Sequence, residues 1–395
     1  MQVFPFKPFV FASSVENFHS PPFDTISPDL EQQLKKSEAN ITHLTLPEND
    51  DNSDAVEWLK KWKADGTIVR IDQDTVIILR QRFSVNGMEY GRIGFIALTS
   101  IYPPDGSIKP HERTFDGPKR RRMSLMSSLM CQPEPVFLLV SNQGMLQILR
   151  KYAEDHVPDR EFEEPIGVLN EIFYVTDAAI IDQIVTSLKG DNAVVADGHH
   201  RLAATLELAG LSEGESRKFW SSTLSYICSV SDPGLLISGI HRCLSMKIDT
   251  QDLLSRLSGY FSVEEIESPE SIDSILLYTG KFYRLSMLQD AIHSIINRDI
   301  ESVYPALVLK EVIFKTVMQL DENVIEKEVT YTHSSEEAIR GVDSGRFSSA
   351  FLLPAWNKDA FIRLVMKGEM LTQKSTYFYP KPPSGIALNC KCDVN

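Results

Sequence analysis

The spacing of apolar residues predicts helices at several places along the chain. Between residues 51 and 64 the apolar side chains recur at helical spacing, which is typical of an amphipathic helix. Ser27 followed by Pro28 indicates an earlier helix, with Ser27 as the N-cap and Pro28 in the first turn. Further helices are predicted at 145–152, 177–188 and 199–209, the last of them ended by Gly210.

Runs of β-branched and aromatic residues between those helices predict strands. The segment Thr67–Phe83, interrupted at 72–74, is predicted to form a hairpin, and Asn86-Gly87 is a second turn signal. Further strands are predicted at 92–102, 136–140, 172–175, 193–196 and 219–229, and residues 375–380 are predicted to form a strand or a lid. Since helices and strands are interspersed without an internal repeat, the pattern predicts an α+β fold with a mixed sheet and helices.

The length of the chain indicates more than one small core. Its 395 residues are too many for one small core. We expect a site-bearing N-terminal part at 1–245 and a C-terminal α/β part at 246–395. A run of about 18 apolar residues, which a membrane span needs, is not found in the sequence. Pro5 and Pro8 interrupt the apolar N-terminal stretch, so we expect no signal peptide and a cytoplasmic location.

The net charge and the cysteines narrow the function classes further. A formal charge of −14 argues against a protein that grips nucleic acid, because phosphate neutralisation requires a basic surplus. The five cysteines are scattered and odd in number, so a disulfide framework is not predicted. The sequence assigns no role to Cys390 and Cys392, which lie close to the C-terminus, or to the segment Lys374–Pro380.

The strongest chemical signal is a strand that leads through a glycine into a helix. The strand at 193–196 is followed by Asp197, Gly198 and then His199, His200 and Arg201. Helix N-termini attract anions, glycine allows a ligand close to the backbone, and arginine can hold phosphate through two hydrogen bonds. The motif therefore predicts a phosphate-binding site. The alternative is that Asp197 only caps the helix and the histidines face solvent.

A second polar cluster follows the strand at 92–102. Glu112 is a candidate general base there, His111 a candidate acid or phosphate ligand, and Arg113 a candidate phosphate donor. Lys119 begins a basic run that extends to Arg122, with either a phosphate-binding role or the role of a solvated helix face. Two weaker clusters, His241-Arg242 and Lys374–Thr376, have an ordinary surface position as their alternative.

Seven short motifs occur in order from end to end and resemble the family catalogued as domain of unknown function 1015. They are Ser20–Asp24, His43–Glu48, Gly94–Ala97, Pro110–Thr114, Pro118-Lys119, Ala196–Arg201 and Lys374–Pro380. The segment Asp197–Arg201 is also similar to the phosphate-binding segment of the ParB–sulfiredoxin superfamily, whose members include chromosome-partitioning CTPases, sulfiredoxin and kinases of free serine. The resemblance implies a ParB/sulfiredoxin-like core with large additions.

The resemblance also implies roles for individual residues. Glu112 would activate a hydroxyl group, and Asp197 would be a metal or hydroxyl partner. The phosphate would be held by Gly198, His199, His200 and Arg201 together with His111, Arg113 and Lys119. A nucleotide, ATP or ADP, is the expected cofactor, with Mg²⁺ bridging its oxygens. No resident metal site is assigned to side chains of the protein.

Three functions remain open from the sequence. The first is nucleotide-linked phosphoryl transfer to or from a small hydroxylated metabolite, with serine and phosphoserine as the leading guess. The second is a ParB-like nucleotide-binding switch, although a basic helix-turn-helix segment is not apparent in the sequence. The third is a metal-dependent hydrolase that uses His111, His199 and His200. Expected partners are a phosphorylated metabolite or nucleotide, without nucleic acid or membrane, and the oligomeric state is undetermined.

Overall fold

The computed structural model describes residues 1–391, and of Ile300 it describes the backbone alone. Contacts divide the described chain into two compact units. The first consists of residues 1–235 together with the residues from Pro380 onward, and the second spans Leu236–Tyr379. The chain therefore leaves the first unit once and returns to it near the C-terminus.

Strands and helices of the first unit are numbered in chain order. The strands are β1 (Val3–Phe4), β2 (Phe9–Phe11), β3 (Ile68–Arg70), β4 (Val76–Val85), β5 (Met88–Ser100), β6 (Ile108–Lys109), β7 (Cys131–Gln132), β8 (Val136–Val140), β9 (Arg160–Glu163), β10 (Leu169–Val175), β11 (Ala193–Asp197), β12 (Ser222–Ser229) and, after the second unit, β21 (Asn389–Cys390). The helices are α1 (Pro28–Leu34), α2 (Thr42–Thr45), α3 (Ser53–Asp65), α4 (Asp116–Leu129), α5 (Gln143–Asp155), α6 (Ala178–Ser187), α7 (His199–Leu211) and α8 (Gly214–Trp220), with a short 3-10 helix at Phe23–Thr25.

A nine-stranded mixed sheet organises this unit. Its order is β6-β11-β8-β12-β5-β4-β10-β9, with β1 also paired to β5. The β6–β11 and β8–β12 pairs are parallel, and the other pairs are antiparallel. The predicted α+β class with a mixed sheet is confirmed. Across residues 1–391, each helix is too short or too polar to traverse a lipid bilayer.

A helix cap and a turn were predicted correctly from residues close together in the sequence. Ser27 is the N-cap of α1, and its hydroxyl accepts a hydrogen bond from the Leu30 N–H. Asn86 and Gly87 both adopt positive φ, at 52° and 75°, between β4 and β5, as a tight hairpin turn requires. These two predictions are confirmed because capping and turn chemistry act over only a few residues.

Two other predictions are wrong. Thr67–Phe83 does not form a hairpin, because β3 pairs with β2 whereas β4 pairs with β5 and β10. A β-branched run separated by a turn is compatible with either arrangement, and the N-terminal strand competes for the same edge. Gly210 does not end its helix either, since α7 continues to Leu211.

Apolar side chains from the sheet and from α5 and α6 form the main core of the first unit. Ile78, Phe95 and Leu138 of the sheet and Leu149 and Ile184 of the helices are fully or almost fully buried within one cluster. Burial of each such side chain stabilises the fold by about 1.5–3 kcal/mol. This core holds the central strands, and with them the strand ends that carry polar side chains.

A second apolar cluster surrounds Phe11, Phe18 and Trp62, and it includes a disulfide between Cys131 and Cys390. This bond joins the short antiparallel pair of β7 and β21. The expectation that the cysteines form no disulfide is therefore wrong for this pair, because parity and spacing cannot show that β21 returns to β7. Cys392 lies outside the described residues.

The second unit contains its own sheets. Its strands are β13 (Leu236–Ser238), β14 (His241–Leu244), β15 (Phe261–Ile266), β16 (Ile275–Tyr278), β17 (Phe282–Met287), β18 (Val329–Thr332), β19 (Ser349–Leu352) and β20 (Tyr377–Tyr379). Its helices are α9 (Thr250–Leu257), α10 (Gln289–Ile295), α11 (Pro305–Val308), α12 (Glu322–Glu328), α13 (Ser335–Asp343) and α14 (Lys358–Met366), with a 3-10 helix at Ile300–Ser302 and a π-helix at Leu309–Val317. A six-stranded sheet has the order β15-β17-β16-β19-β14-β18, and β13 pairs separately with β20, so the aromatic segment at 375–380 includes a strand.

Gly94 provides a test of the close packing within the large sheet. A Cβ atom at this position would lie 2.6 Å from the Ile227 carbonyl oxygen and 2.6 Å from the Tyr226 ring. We expect Gly94→Ala to lower the free energy of unfolding by about 1–3 kcal/mol, as overpacking of a core does. Urea unfolding measures the change. Gly91→Ala in the same strand is the matched control, since a Cβ there meets nothing within 4 Å, and equal losses in both variants would contradict the packing argument.

Candidate functional site

Two polar clusters meet because two strands run parallel at the edge of the large sheet. β6 pairs with β11, with Ile108 opposite Ala193 and Lys109 opposite Val194. The carboxyl ends of parallel strands lie at the same edge of a sheet, so the loop after β6 and the turn after β11 are neighbours. The structure thus brings the loop that carries Glu112 to the N-terminus of α7.

The turn between β11 and α7 depends on Gly198. Its φ of +88° lies in the left-handed region, and a Cβ atom there would lie 3.0 Å from Nε of Arg201. Gly198 is the N-cap of α7 and the helix has no side-chain cap, so the alternative that Asp197 caps it is wrong. Among the described residues, no side chain caps the first backbone N–H groups of α7, and uncapped helix N-termini attract anions in general.

Asp197 lies between two cations instead. Its Oδ2 accepts a hydrogen bond from Nη2 of Arg201 at 2.6 Å, and its Oδ1 lies 2.7 Å from Nζ of Lys381. Burial by itself raises the pKa of the Asp197 carboxyl, but Lys381 and Arg201 outweigh burial and hold that pKa well below its usual range. Lys381 Nζ also lies 3.1 Å from the Asp24 carboxylate, so Lys381 forms ion pairs with both Asp197 and Asp24.

Arg201 is an anchored side chain rather than a mobile one. Its side chain is 9% exposed, and its Nη1 donates to the Pro135 carbonyl at 2.6 Å. The Nε–H group is buried without a hydrogen-bond partner in the described chain. Two of the three guanidinium nitrogens therefore hold the turn together, and the third has an unused donor.

His111 connects the two clusters. Its Nδ1 lies 2.6 Å from the Val195 carbonyl, which can only accept, so Nδ1 carries the proton. The backbone N–H of His111 donates to Nε2 of His199 at 3.3 Å. Burial lowers the pKa of His199 to about 4, and burial, followed by the repulsion that a protonated His199 would exert, holds the pKa of His111 well below its usual value. Both imidazoles are neutral at neutral pH.

Glu112 lies at the rim of this arrangement. Its side chain is 27% exposed, and its Oε1 lies 3.9 Å from Nε2 of His111. Because His111 is neutral and the distance is too long for a hydrogen bond, this contact is not an ion pair. Glu112 thus keeps contact with solvent while it stands beside the strand end.

The remaining predicted residues lie at different distances from the motif. The His200 ring lies 6.5 Å from the ring of Phe115, and its buried Nδ1 has no hydrogen-bond partner in the described chain. Lys119 pairs with Glu207 at 2.9 Å and with Asp116 at 3.4 Å, which suits a solvated helix face. Arg113 is exposed on the loop after β6. Of these three residues, His200 lies in the first turn of α7, and Asp24 acts electrostatically on its imidazole.

Sequence reasoning missed three residues of the cluster. Lys381 and Asp24 belong to segments that meet through a bridge between Ser20 and Ser384. Glu134 precedes β8, and its Oε1 accepts from the Ser384 hydroxyl at 2.7 Å. Asp24 ends the motif Ser20–Asp24, so the sequence contained a signal for it, whereas Lys381 directly follows the motif Lys374–Pro380 and had no signal of its own.

The side chains do not provide a metal cage. Within residues 1–391, no group of three or more His, Cys, Asp or Glu residues is placed to hold a metal ion. Mg²⁺ is usually held by one or two carboxylates and by phosphate oxygens rather than by a protein cage. Asp197 is already paired with two cations, so Mg²⁺ fits this cluster only through phosphate oxygens of a ligand.

Among the solved structures that resemble this chain in fold are the following three. A conserved hypothetical protein from Pyrococcus furiosus has 16% sequence identity and a TM-score of 0.38, covering 74% of this chain and 94% of that chain. A variant of a free serine kinase in complex with AMP has 16% identity and a TM-score of 0.38, covering 72% and 86%. SbnI with a C-terminal truncation, from Staphylococcus aureus, has 10% identity and a TM-score of 0.39, covering 72% and 82%.

Comparison with other sequences gives one match. A search of curated proteins found none that matches. A family model covers residues 3–322, which include β6, β11, α7 and the cluster around Asp197 apart from Lys381 and Ser384. That model is described as "Protein of unknown function (DUF1015)" and spans well over half of the sequence, so the chain belongs to the DUF1015 family.

Proposed function

We propose that this protein catalyses nucleotide-linked phosphoryl transfer to or from a small hydroxylated metabolite, with serine and phosphoserine as the leading pair. The observation that carries the proposal is the meeting of two parts at one sheet edge. The N-terminus of α7 lacks a side-chain cap, and the Glu112 carboxylate stands on the neighbouring loop. A phosphate site beside a solvent-accessible base is what transfer between a phosphate and a hydroxyl group requires.

The phosphate would lie against the first turn of α7. Backbone N–H groups there point outward, and the helix dipole favours a negative charge. Lys381 and the unused Nε–H of Arg201 supply positive charge and a hydrogen-bond donor next to that turn. Asp197 balances both cations when no phosphate is bound, so a phosphate competes with Asp197 for Lys381 and for Arg201.

Glu112 would take the proton from the attacking hydroxyl group. In the opposite direction, the protonated carboxyl group would return that proton to the leaving oxygen. Neutral His111 and His199 fix the loop and the helix end relative to each other and carry no charge that would compete with Lys381 for the phosphate. Serine is the leading hydroxyl substrate because the segment Asp197–Arg201 resembles that of free-serine kinases.

A nucleotide, ATP or ADP, would supply or accept the phosphoryl group. Mg²⁺ on its phosphate oxygens would neutralise charge there, as in other phosphoryl transfers. The chain's own contribution is to bind the phosphate at α7, to balance charge through Lys381 and to place Glu112. A nucleotide-binding switch would use the same phosphate site without turnover, so it is an outcome of the tests below. No arrangement in the described residues specifically favours a metal-dependent hydrolase.

Removal of the Glu112 charge tests the base. We expect Glu112→Gln to keep nucleotide affinity while turnover falls by about 10²–10⁴-fold, the usual contribution of general base catalysis. Phosphorus NMR with Mg²⁺ measures turnover from serine with ATP or ADP, and from phosphoserine with AMP or ADP. Glu154→Gln, an exposed position on α5, removes the same charge elsewhere in the first unit. Normal turnover in Glu112→Gln would exclude this residue, and nucleotide binding without turnover in the unaltered protein would favour the switch.

Lys381 tests the phosphate site without truncating the buried Arg201. Lys381→Met keeps most of the side-chain volume but removes the charge beside Asp197. We expect the affinity for AMP or ADP to fall by about 1.5–3 kcal/mol, the contribution of a hydrogen bond to a charged group. Calorimetry gives the affinity, and a thermal melt reports whether the variant is folded. The exposed Lys189→Met is the control for net charge, and an unchanged affinity in folded Lys381→Met would place the phosphate elsewhere.

The pH dependence of anion binding tests the position of His200. Burial lowers the pKa of His200 below its usual value, partly offset by Asp24. An anion nearby favours the protonated imidazole, so binding raises that pKa and takes up a proton. The affinity for sulfate, whose charge is constant, should therefore increase as the pH falls from about 7.5 to 5.5, by at most about tenfold per pH unit for one proton. Titration of His200→Asn should show a flatter profile and that of the exposed His156→Asn should not; a flat profile in the unaltered protein contradicts the placement.

A further inference from the structure

Two polar segments of the second unit, His241-Arg242 and Lys374–Thr376, contact each other in the structure. Arg242 lies on β14, and its Nη2 donates to the Lys374 carbonyl at 2.9 Å. Its Nη1 donates to the Ile240 carbonyl. One guanidinium group thus joins the segment before β14 to the loop before β20, far along the sequence. Neither cluster belongs to the site on the first unit.

Within the described residues, the charge of Arg242 has no carboxylate beside it. The residue is 4% exposed, and burial and two tyrosines, Tyr331 and Tyr304, are what act on its guanidinium. The ring of Tyr331 lies 5.4 Å from it, and two carbonyl oxygens accept its hydrogen bonds. Dipoles and a ring face only partly replace the hydration of a buried cation. The region around Arg242 therefore has a positive potential that an anion would balance.

A cavity of about 190 Å³ adjoins this region. Ser375, which follows Lys374, contributes to its wall, as do Gly239, which precedes Ile240, and the rings of Tyr304 and Trp356. Those two rings have centroids 5.1 Å apart and an angle of 36° between their planes. A dry cavity of about 150 Å³ can hold benzene, so this volume accepts one six-membered ring with a small substituent.

The chemistry of the wall favours a ligand with an apolar body. The remaining wall is largely aliphatic, with contributions from Leu353 and Leu364. Trp356 Nε1 donates to the Ser375 carbonyl at 2.8 Å, and Tyr304 Oη accepts from the Thr372 N–H at 2.8 Å. A ligand gains apolar contact with these two rings, and a negative charge on it interacts with the field of Arg242.

The positive end of a helix adds to that field. Asn357 is the N-cap of α14, and both Asn357 and Ala360 lie in the wall of the cavity. Glu301 also contributes to the wall, but its carboxylate pairs with Lys367 at 3.0 Å. Arg242 is not itself part of the wall, and its guanidinium is held on the carbonyls of Ile240 and Lys374, which adjoin Gly239 and Ser375 of the wall. Its field and the N-terminus of α14 favour an anion at the cavity, where the charge of Glu301 is offset by Lys367.

We propose that the second unit binds a small aromatic carboxylate, with its single ring against Tyr304 and Trp356 and its charge in the field of Arg242. Binding at this cavity is separate from the phosphate site on the first unit and does not depend on the function proposed there. The ligand class follows from three observations: a ring-sized volume, aromatic and aliphatic walls, and an uncompensated buried cation.

Fluorine NMR on the full chain tests the proposal with two probes of similar size. 4-Fluorobenzoate carries the charge and 4-fluorobenzyl alcohol does not. We expect the benzoate to bind at least about tenfold more tightly, a difference of about 1.4 kcal/mol. Ala360→Leu fills the cavity and should weaken both probes by about tenfold or more, whereas Met366→Leu, at an exposed position outside the cavity on the same helix, should leave both unchanged.

Arg242→Gln tests the charge directly, since an amide can still donate to a carbonyl. It should weaken the benzoate and leave the alcohol unchanged, provided that a thermal melt shows a folded protein. If this variant does not fold, the two probes and Ala360→Leu still decide. Equal affinities for the two probes would overturn the role of the cation, unchanged binding in Ala360→Leu would overturn the location, and no binding at millimolar concentrations would overturn the proposal as a whole.

Discussion

The arrangement of the first unit depends on a single carboxylate, that of Asp197, between two cations. Arg201 reaches it from the next turn of the same motif, and Lys381 reaches it from the far end of the chain. A buried charge without partners is costly, so each of the three groups lowers the cost of burying the others. Their assembly fixes the strand-to-helix turn, the start of β8 through the Pro135 carbonyl, and the segment that carries Asp24. The same charges that stabilise the turn are those with which a phosphate would interact, so stability and binding are coupled at this point.

Sequence patterns identified the local parts of this site and missed the connection between them. A short apolar strand, a glycine and a helix are consecutive in the chain, so β11, Gly198 and α7 could be predicted from spacing and conformational preference. The neighbourhood of Glu112 and His199 could not, because it requires that β6 pair parallel with β11. The role of Lys381 could not be predicted either, because only the folded chain brings Lys381 next to Asp197. The false hairpin at Thr67–Phe83 shows the opposite error, in which a local pattern fits two pairings and the distant partner decides.

The cluster around Asp197 and the surroundings of Arg242 differ in how they compensate buried positive charge. In the first, Arg201 and Lys381 have carboxylate partners, and the pKa of Asp197 is held well below its usual range by them despite its burial. In the second, the contacts of Arg242 among residues 1–391 are carbonyl oxygens and the Tyr331 ring, and burial lowers its pKa to about 10. Removal of one partner from a compensated cluster leaves a buried charge unpaired, whereas a buried cation without a carboxylate beside it already bears that cost.

The return of the chain from the second unit has a consequence for biosynthesis. The large sheet can form once residue 229 has emerged from the ribosome, but Asp197 still lacks Lys381 at that stage. The second unit, Leu236–Tyr379, must be translated before the residues from Pro380 onward can join the first. During that interval the nascent chain holds Asp197 beside Arg201 alone. Completion of the cluster therefore reports that translation has passed residue 381, and a chain released early retains the strand-to-helix motif without its second cation.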